Sequence, residues 1–217
     1  MQQVVSKPAK SPLTTWVYID GFNLYYGALN KKGPGRKWLD IESWLKKLLP
    51  QNNVAKIKFF TARVTGKYDP DKPARQNLYF RALGTNKIID KIEGRFLNKK
   101  VKIQITSETS ITGRIPEEKG TDVNLATHLV NDAHLKKFEM GVVVSNDSDL
   151  SEAVRIVAQE LKLPVGIINP CMGMTFNKQL TRFAAFKEPV RSGAILKSQF
   201  PNAMNDATGL FTKPPSW

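Results

Sequence analysis

Four aspartates stand where a chain of this kind could do chemistry. Asp20 ends the apolar run WVYI, Asp147 and Asp149 follow the run GVVV, and Asp122 opens a long stretch of helical periodicity. Carboxylates gathered in one crevice repel each other unless they are protonated or neutralised by a cation. An all-oxygen donor set suits a hard divalent ion, Mg²⁺ or Mn²⁺, whose remaining positions go to water and substrate phosphate. Such an ion activates water and stabilises charge on a phosphoryl group. The rest of the chain is strongly basic, with 33 Lys and Arg against 19 Asp and Glu and a net charge of +14. An acidic island in a basic field attracts phosphodiesters, and the expectation is a metal-dependent nuclease. Each acid also has a plainer reading. Asp149 with Glu152 fits a capping box, Asp122 suits the positive end of a helix, and Asp20-Gly21 suits a turn.

The elements that must hold these acids follow from periodicity. Residues 16–20, 54–64, 141–144 and 165–168 are apolar runs that read as buried strands. Residues 40–49, 71–83, 122–135 and 150–161 carry apolar residues at helical spacing, with Val123, Ala126, Leu129, Val130 and Ala133 inward in the third. Residues 88–105 suggest a hairpin turning at Asn98-Lys99-Lys100. Strands alternating with helices imply a mostly parallel sheet covered on both faces, an α/β fold. In such sheets functional groups collect beyond the carboxyl ends of the strands, which is where the aspartates lie. The division expected is a polar arm over 1–14, one domain over 15–188, and an extension over 189–217 that packs on the domain.

Composition excludes other classes. Hydrophobic residues make up 41%, enough for a core. No apolar run approaches the roughly 20 residues of a membrane span, and the first residues lack a secretory apolar stretch. Cys171 is the single cysteine, which leaves no intrachain disulfide and no cysteine zinc cluster. A soluble, cytoplasmic protein without a membrane partner is expected.

Three segments, YIDGFNLYY (18–26), EEKGTDVNLATHLVNDA (117–133) and VVVSNDSDLSEAVRIV (142–157), resemble the NYN domain, a branch of the PIN-like ribonucleases, in the family's order. SQFPNAM (198–204) and KPPSW (213–217) resemble an extension of one bacterial subgroup. The resemblance implies a PIN-like three-layer α/β/α fold and a Mg²⁺- or Mn²⁺-dependent ribonuclease that hydrolyses RNA to a 5′-phosphate and a 3′-hydroxyl. It implies Asp20, Asp122 and Asp147 as metal ligands, Asn23 as a residue that orients ligand or substrate, and Asp149 as one that orients a ligand or water. The PIN pattern carries a further acid after the first strand. Asp40 and Glu42 fall in a predicted helix and Glu118 lies near Asp122, so its counterpart stays open.

The densest basic run, Arg75 to Lys102, includes Arg95, Lys99 and Lys100, and Tyr79, Phe80 and Phe96 are interleaved with it. These aromatics either stack bases of single-stranded RNA or belong to the core. Lys119 adjoins the acidic motif, and Arg36 sits in the glycine-rich loop Gly33-Pro34-Gly35-Arg36; both are candidate phosphate contacts. His128, His134 and Cys171 read as packing or surface residues. Rival functions are a non-catalytic RNA-binding module, a nuclease masked by a regulatory protein partner, and small-molecule chemistry. No Gly-x-Gly-x-x-Gly follows the first strand, and Phe22 stands where an aspartyl phosphatase needs its second acid.

Overall fold

The computed structural model describes residues 11–30, 35–67, 69–104 and 110–217, with the backbone alone at 97–98 and 114–118. Residues 1–10 of the expected arm and 31–34 of the glycine-rich loop lie outside the described residues. In chain order the elements begin with β1 (Thr14–Asp20) and α1 (Gly21–Leu24), which widens into a π-type turn over Tyr25–Leu29. Then come α2 (Ile41–Leu48), β2 (Asn53–Thr61), α3 (Lys72–Gly84), β3 (Ile89–Glu93), β4 (Arg95–Gln104) and β5 (Ser110–Lys119). They continue with α4 (Thr121–His134), β6 (Met140–Val144), α5 (Ser151–Arg155) and β7 (Val165–Asn169). The chain finishes with β8 (Phe186–Pro189), α6 (Ser192–Leu196), β9 (Ala203–Asp206) and β10 (Gly209–Thr212).

Six strands form the central sheet in the order β3-β2-β1-β6-β7-β8, and every pairing is parallel. The alternation of side chains divides the core into two layers. Val17, Ile19, Ile57, Phe59, Val142 and Val144 face one side, and Tyr18, Phe60, Val143 and Ile167 the other. Helices α2 and α3 cover the first layer through Trp44, Leu45, Tyr79 and Leu83. Helices α4 and α5 cover the second through Leu125, Leu129 and Val154. Strand β8, which its short mixed sequence does not announce, is seated by Gly166: a Cβ there would fall 2.1 Å from the Phe186 ring.

Two expectations need correction. The hairpin does not turn at Asn98-Lys99-Lys100. Residues 89–93 join the central sheet, and residues 98–100 lie inside β4, which pairs antiparallel with β5 in a separate two-stranded ladder. Interruption of the strand pattern at Gly94 marks the break. The buried face of α4 is also rotated from the expected one. Thr121, Leu125, Leu129, Asp132 and Ala133 are buried, while Val123 is 69% exposed. The i, i+4 ridge through Leu125 and Leu129 seats the helix, and a polar residue, Asp132, completes it.

The last segment folds back over the first core layer. Phe200 N–H donates to the Trp38 carbonyl at 2.9 Å, and Trp38 Nε1 donates to the Pro201 carbonyl at 2.9 Å. Arg81 holds Asp206 with two 2.8 Å hydrogen bonds and lies 4.2 Å from the Phe211 ring centre. Among the described residues, no helix is long and apolar enough to cross a membrane.

Candidate active site

The strand order reverses between β1 and β6, since the chain winds outward in one direction through β2 and β3 and in the other through β7 and β8. At such a switch point the two neighbouring loops diverge and leave a crevice beyond the strand ends. Asp20 is the last residue of β1, and Ile19 pairs with Val144, the last residue of β6. Ser145 therefore lies beside Asp20, and its hydroxyl donates to Asp20 Oδ2 at 3.1 Å.

Asp20 is buried, with 5% of its surface exposed. It caps α1, its Oδ1 accepting from Asn23 N–H at 2.9 Å, so the Asp20-Gly21 pair starts a helix instead of making a turn. Gly21 is required by contact: a Cβ would sit 2.6 Å from the Phe60 carbonyl oxygen of β2. Asp147 caps the short 3₁₀ turn Ser148–Leu150, accepting from Asp149 N–H at 3.0 Å, and its own N–H donates to Ser145 Oγ at 3.1 Å. Ser145 thus links the two acids through one hydroxyl. The Asp149 capping box does not form, because Asp147 makes the cap and Glu152 is paired with Arg155 at 2.6 Å. Asp122 is the second residue of α4, entered through Gly120 at φ +94°, where a side chain would be strained.

Asp20, Asn23, Asp122 and Asp147 line one cavity of about 370 Å³. Burial, chiefly, pushes the Asp20 carboxyl up to about 7, and the negative charges of Asp122 and Asp147 push the same way. The hydrogen bonds from Asn23 and Ser145 oppose this only in part. Asn23 is engaged as a clip: its Oδ1 accepts from Asn146 N–H at 3.1 Å and from the Cys171 thiol at 3.4 Å. It ties the β1, β6 and β7 ends together and leaves its amide nitrogen as the group still able to donate. Asp149 and Lys119 lie apart from Asp20 and Asp147, on a neighbouring depression reached across Asp122.

The other predicted contacts are distributed. Arg95, Lys99 and Lys119 share one face of the β4–β5 ladder by register, and Lys100 lies on the other, with Phe96. Arg36 is half-buried, with Nη1 3.5 Å from Met172 Sδ. Tyr79 and Phe80 are core residues, whereas Phe96 is half-buried against Phe22. Glu42 is held by Lys46 and Asn86, and Asp40 caps α2. Neither lines the acidic cavity. The Glu118 side chain lies outside the described residues. Sequence reasoning missed Ser145, although a hydroxyl directly after a buried strand and two residues before an acid was the available signal.

Among the described residues, no three acidic, histidine or cysteine side chains are drawn together tightly enough to enclose a metal unaided. The oxygen donors and their mutual repulsion nonetheless fit an ion such as Mg²⁺ or Mn²⁺, which is commonly held by one or two carboxylates together with water and substrate phosphate.

Comparison with known proteins places the chain among its relatives. A protein from Pseudomonas putida (strain DSM 28022 / S16), named 6-hydroxy-3-succinoylpyridine 3-monooxygenase HspA, is 29% identical over 240 residues, covering 95% of this chain and 76% of that protein. A crystal structure of a protein of unknown function from Vibrio parahaemolyticus RIMD 2210633 superposes with a TM-score of 0.55 at 14% identity, covering 85% of this chain and 97% of that one. That likeness concerns the fold alone. The sequence profile of the NYN domain matches residues 14–186, the span from the first strand of the sheet to the start of the last. With the six-stranded parallel sheet and the aspartates at its switch point, the chain belongs to the NYN domain family, of PIN-like nuclease architecture.

Proposed function

We propose that the protein is a Mg²⁺- or Mn²⁺-dependent ribonuclease acting on single-stranded RNA. The observation that carries this reading is the burial of Asp20 at the switch point among like charges, an arrangement that a cation relieves. Asp20, Asp122 and Asp147 would hold the ion, which when bound acidifies water and neutralises charge on a phosphoryl group. The chain's own residues supply the rest. Ser145 fixes Asp20 and Asp147 relative to each other through its hydroxyl. Asn23 braces the crevice and offers an amide N–H₂ to a phosphate oxygen. The exposed Arg95, Lys99, Lys100 and Lys119 attract the backbone of the strand. Asp149 is positioned to order water or ligand across Asp122 rather than beside Asp20.

The test is incubation of end-labelled single-stranded RNA with Mn²⁺, Mg²⁺ or EDTA, with an Asp147→Asn variant alongside. Cleavage that needs metal and vanishes in the variant is expected. A folded Asp147→Asn protein that cleaves at the wild-type rate overturns the assignment. A second reading, oxygenation of a small aromatic heterocycle, is favoured by the name of the P. putida relative, whose match extends over 95% of this chain. It requires dioxygen uptake coupled to a reductant, and RNA cleavage does not.

A further inference from the structure

A second cavity, of about 520 Å³, lies against the acidic one, and the two share Phe22 and Tyr26. Its size falls within the roughly 300–1,000 Å³ typical of small-molecule sites. Part of its lining is aromatic: Phe22, Tyr25, Tyr26, Phe96 and Trp217. The Phe22 and Tyr26 rings stack at 6.4 Å and 17°, and Phe96 meets Phe22 edge-on at 5.8 Å. Trp217 contributes another wall and is anchored in the core, 6.2 Å from Trp38 and 6.0 Å from Tyr79. Such surfaces offer flat π-faces at low entropic cost.

The same cavity is lined by three cationic side chains, Lys37, Lys72 and Arg75, against one acidic side chain, Asp69. Arg75 is paired with Asp69. Lys37 lies 5.8 Å from the Tyr25 ring centre and has no carboxylate partner among the described residues. Lys72 also has no ion-pair partner among them, and both lysines are half-buried. Partial burial strengthens their attraction for an anion relative to a fully solvated lysine.

We propose that this cavity binds a planar heteroaromatic ring carrying an anionic group, the ring against Phe22 and Tyr26 and the anion at Lys37 and Lys72. Two sources share that chemistry. One is a nucleotide of a strand whose adjacent phosphate enters the acidic cavity through the common wall. The other is a free heteroaromatic acid. The proposal does not depend on cleavage, so it can stand or fall separately from the ribonuclease reading.

The experiment is calorimetric titration of the full chain, in EDTA to prevent turnover, with adenosine 5′-monophosphate and with pyridine-3-carboxylate. Ribose 5-phosphate and adenosine serve as controls that lack the ring or the charge. At least one of the two probes is expected to bind about tenfold more tightly than either control, and to weaken about tenfold in Lys72→Ala and in Tyr26→Ala. Tyr26 is 55% exposed, so its removal leaves the core intact, and melting curves verify both variants. Binding of the nucleotide alone assigns the site to the strand, and binding of the pyridine acid alone assigns it to a free ligand; either supports the proposal. Binding of neither, or binding unchanged in both variants, overturns it. A protein that binds the nucleotide but cleaves no RNA keeps this inference and removes the ribonuclease reading.

Discussion

Asp20 and Asp132 are equally buried, each about 5% exposed, yet the chain treats them in opposite ways. Asp132 receives the Lys58 ammonium at 2.5 Å and the Tyr18 hydroxyl at 2.9 Å, while His128 Nδ1 lies 3.0 Å from the same ammonium. Its counter-charge comes from the fold. Burial and the Asp132 charge hold the Tyr18 phenol far above its ordinary range, and burial with the Lys58 charge keeps the His128 imidazole below its own. Asp20, two residues along the same strand from Tyr18, receives a serine hydroxyl and a backbone N–H and faces two further acids. One carboxylate is complete within the chain, and the other fits a cation brought from outside. Helix α4 serves both, with Asp122 near its first turn and Asp132 near its last.

Substitution should separate the two most sharply in activity. Asp20→Asn or Asp147→Asn is expected to lower metal-dependent RNA cleavage by about a hundredfold or more while the melting temperature holds or rises, measured by gel assay and thermal melt. Asp132→Ala should do the reverse. It strands the buried Lys58 charge, and denaturant titration should record a loss of about 3–5 kcal/mol.

The pH dependence of stability sharpens the contrast. The Asp20 carboxyl is raised to about 7 in the folded protein from an ordinary 3.8, so the folded state binds the extra proton between those values. Its contribution is fully present below about pH 4 and is lost as the pH rises through 7. Compared with Asp20→Asn, the wild type should therefore lose a few kcal/mol between pH 4 and 7 and then level off. A stability difference that stays flat over that range would mean that the folded protein does not hold the Asp20 proton above its ordinary range. Above pH 7, added Mn²⁺ should restore stability to the wild type and not to the variant.

Smaller effects test the supporting residues. Ser145→Ala removes the hydroxyl shared by Asp20 and Asp147. It is expected to cost about 1–3 kcal/mol and to reduce metal-dependent cleavage about tenfold. Asp149→Ala is expected to change stability by less than about 0.5 kcal/mol, since Asp149 makes no cap, and to slow cleavage less than Asp147→Asn does.

Much of this was legible from residue patterning. Runs such as GVVV and VGII, with helical spacing between them, specify a parallel sheet, and the polar residues at their ends specify where acids gather. The switch point was not legible, because the order of strands depends on crossovers that no local pattern records. Nor was the distinction between Asp20 and Asp132. Asp132 has helical neighbours on every side in sequence, and its partner Lys58 lies 74 residues away within an apolar strand. The rotated face of α4 follows from the same omission, since an aspartate is scored as exposed until its cation is known. Strand β8 and the β4–β5 ladder escaped because FKEP is too short to show alternation, and the lysines of β4 resemble a turn.

Whether Asp20 holds a cation that Asp132 does not is tested by Mn²⁺ binding at pH 8, followed by electron paramagnetic resonance of the free ion, in the wild type, Asp20→Asn and Asp132→Asn. Binding should be lost in Asp20→Asn and kept in whatever fraction of Asp132→Asn remains folded. Undiminished Mn²⁺ binding by a folded Asp20→Asn protein would contradict this role for Asp20.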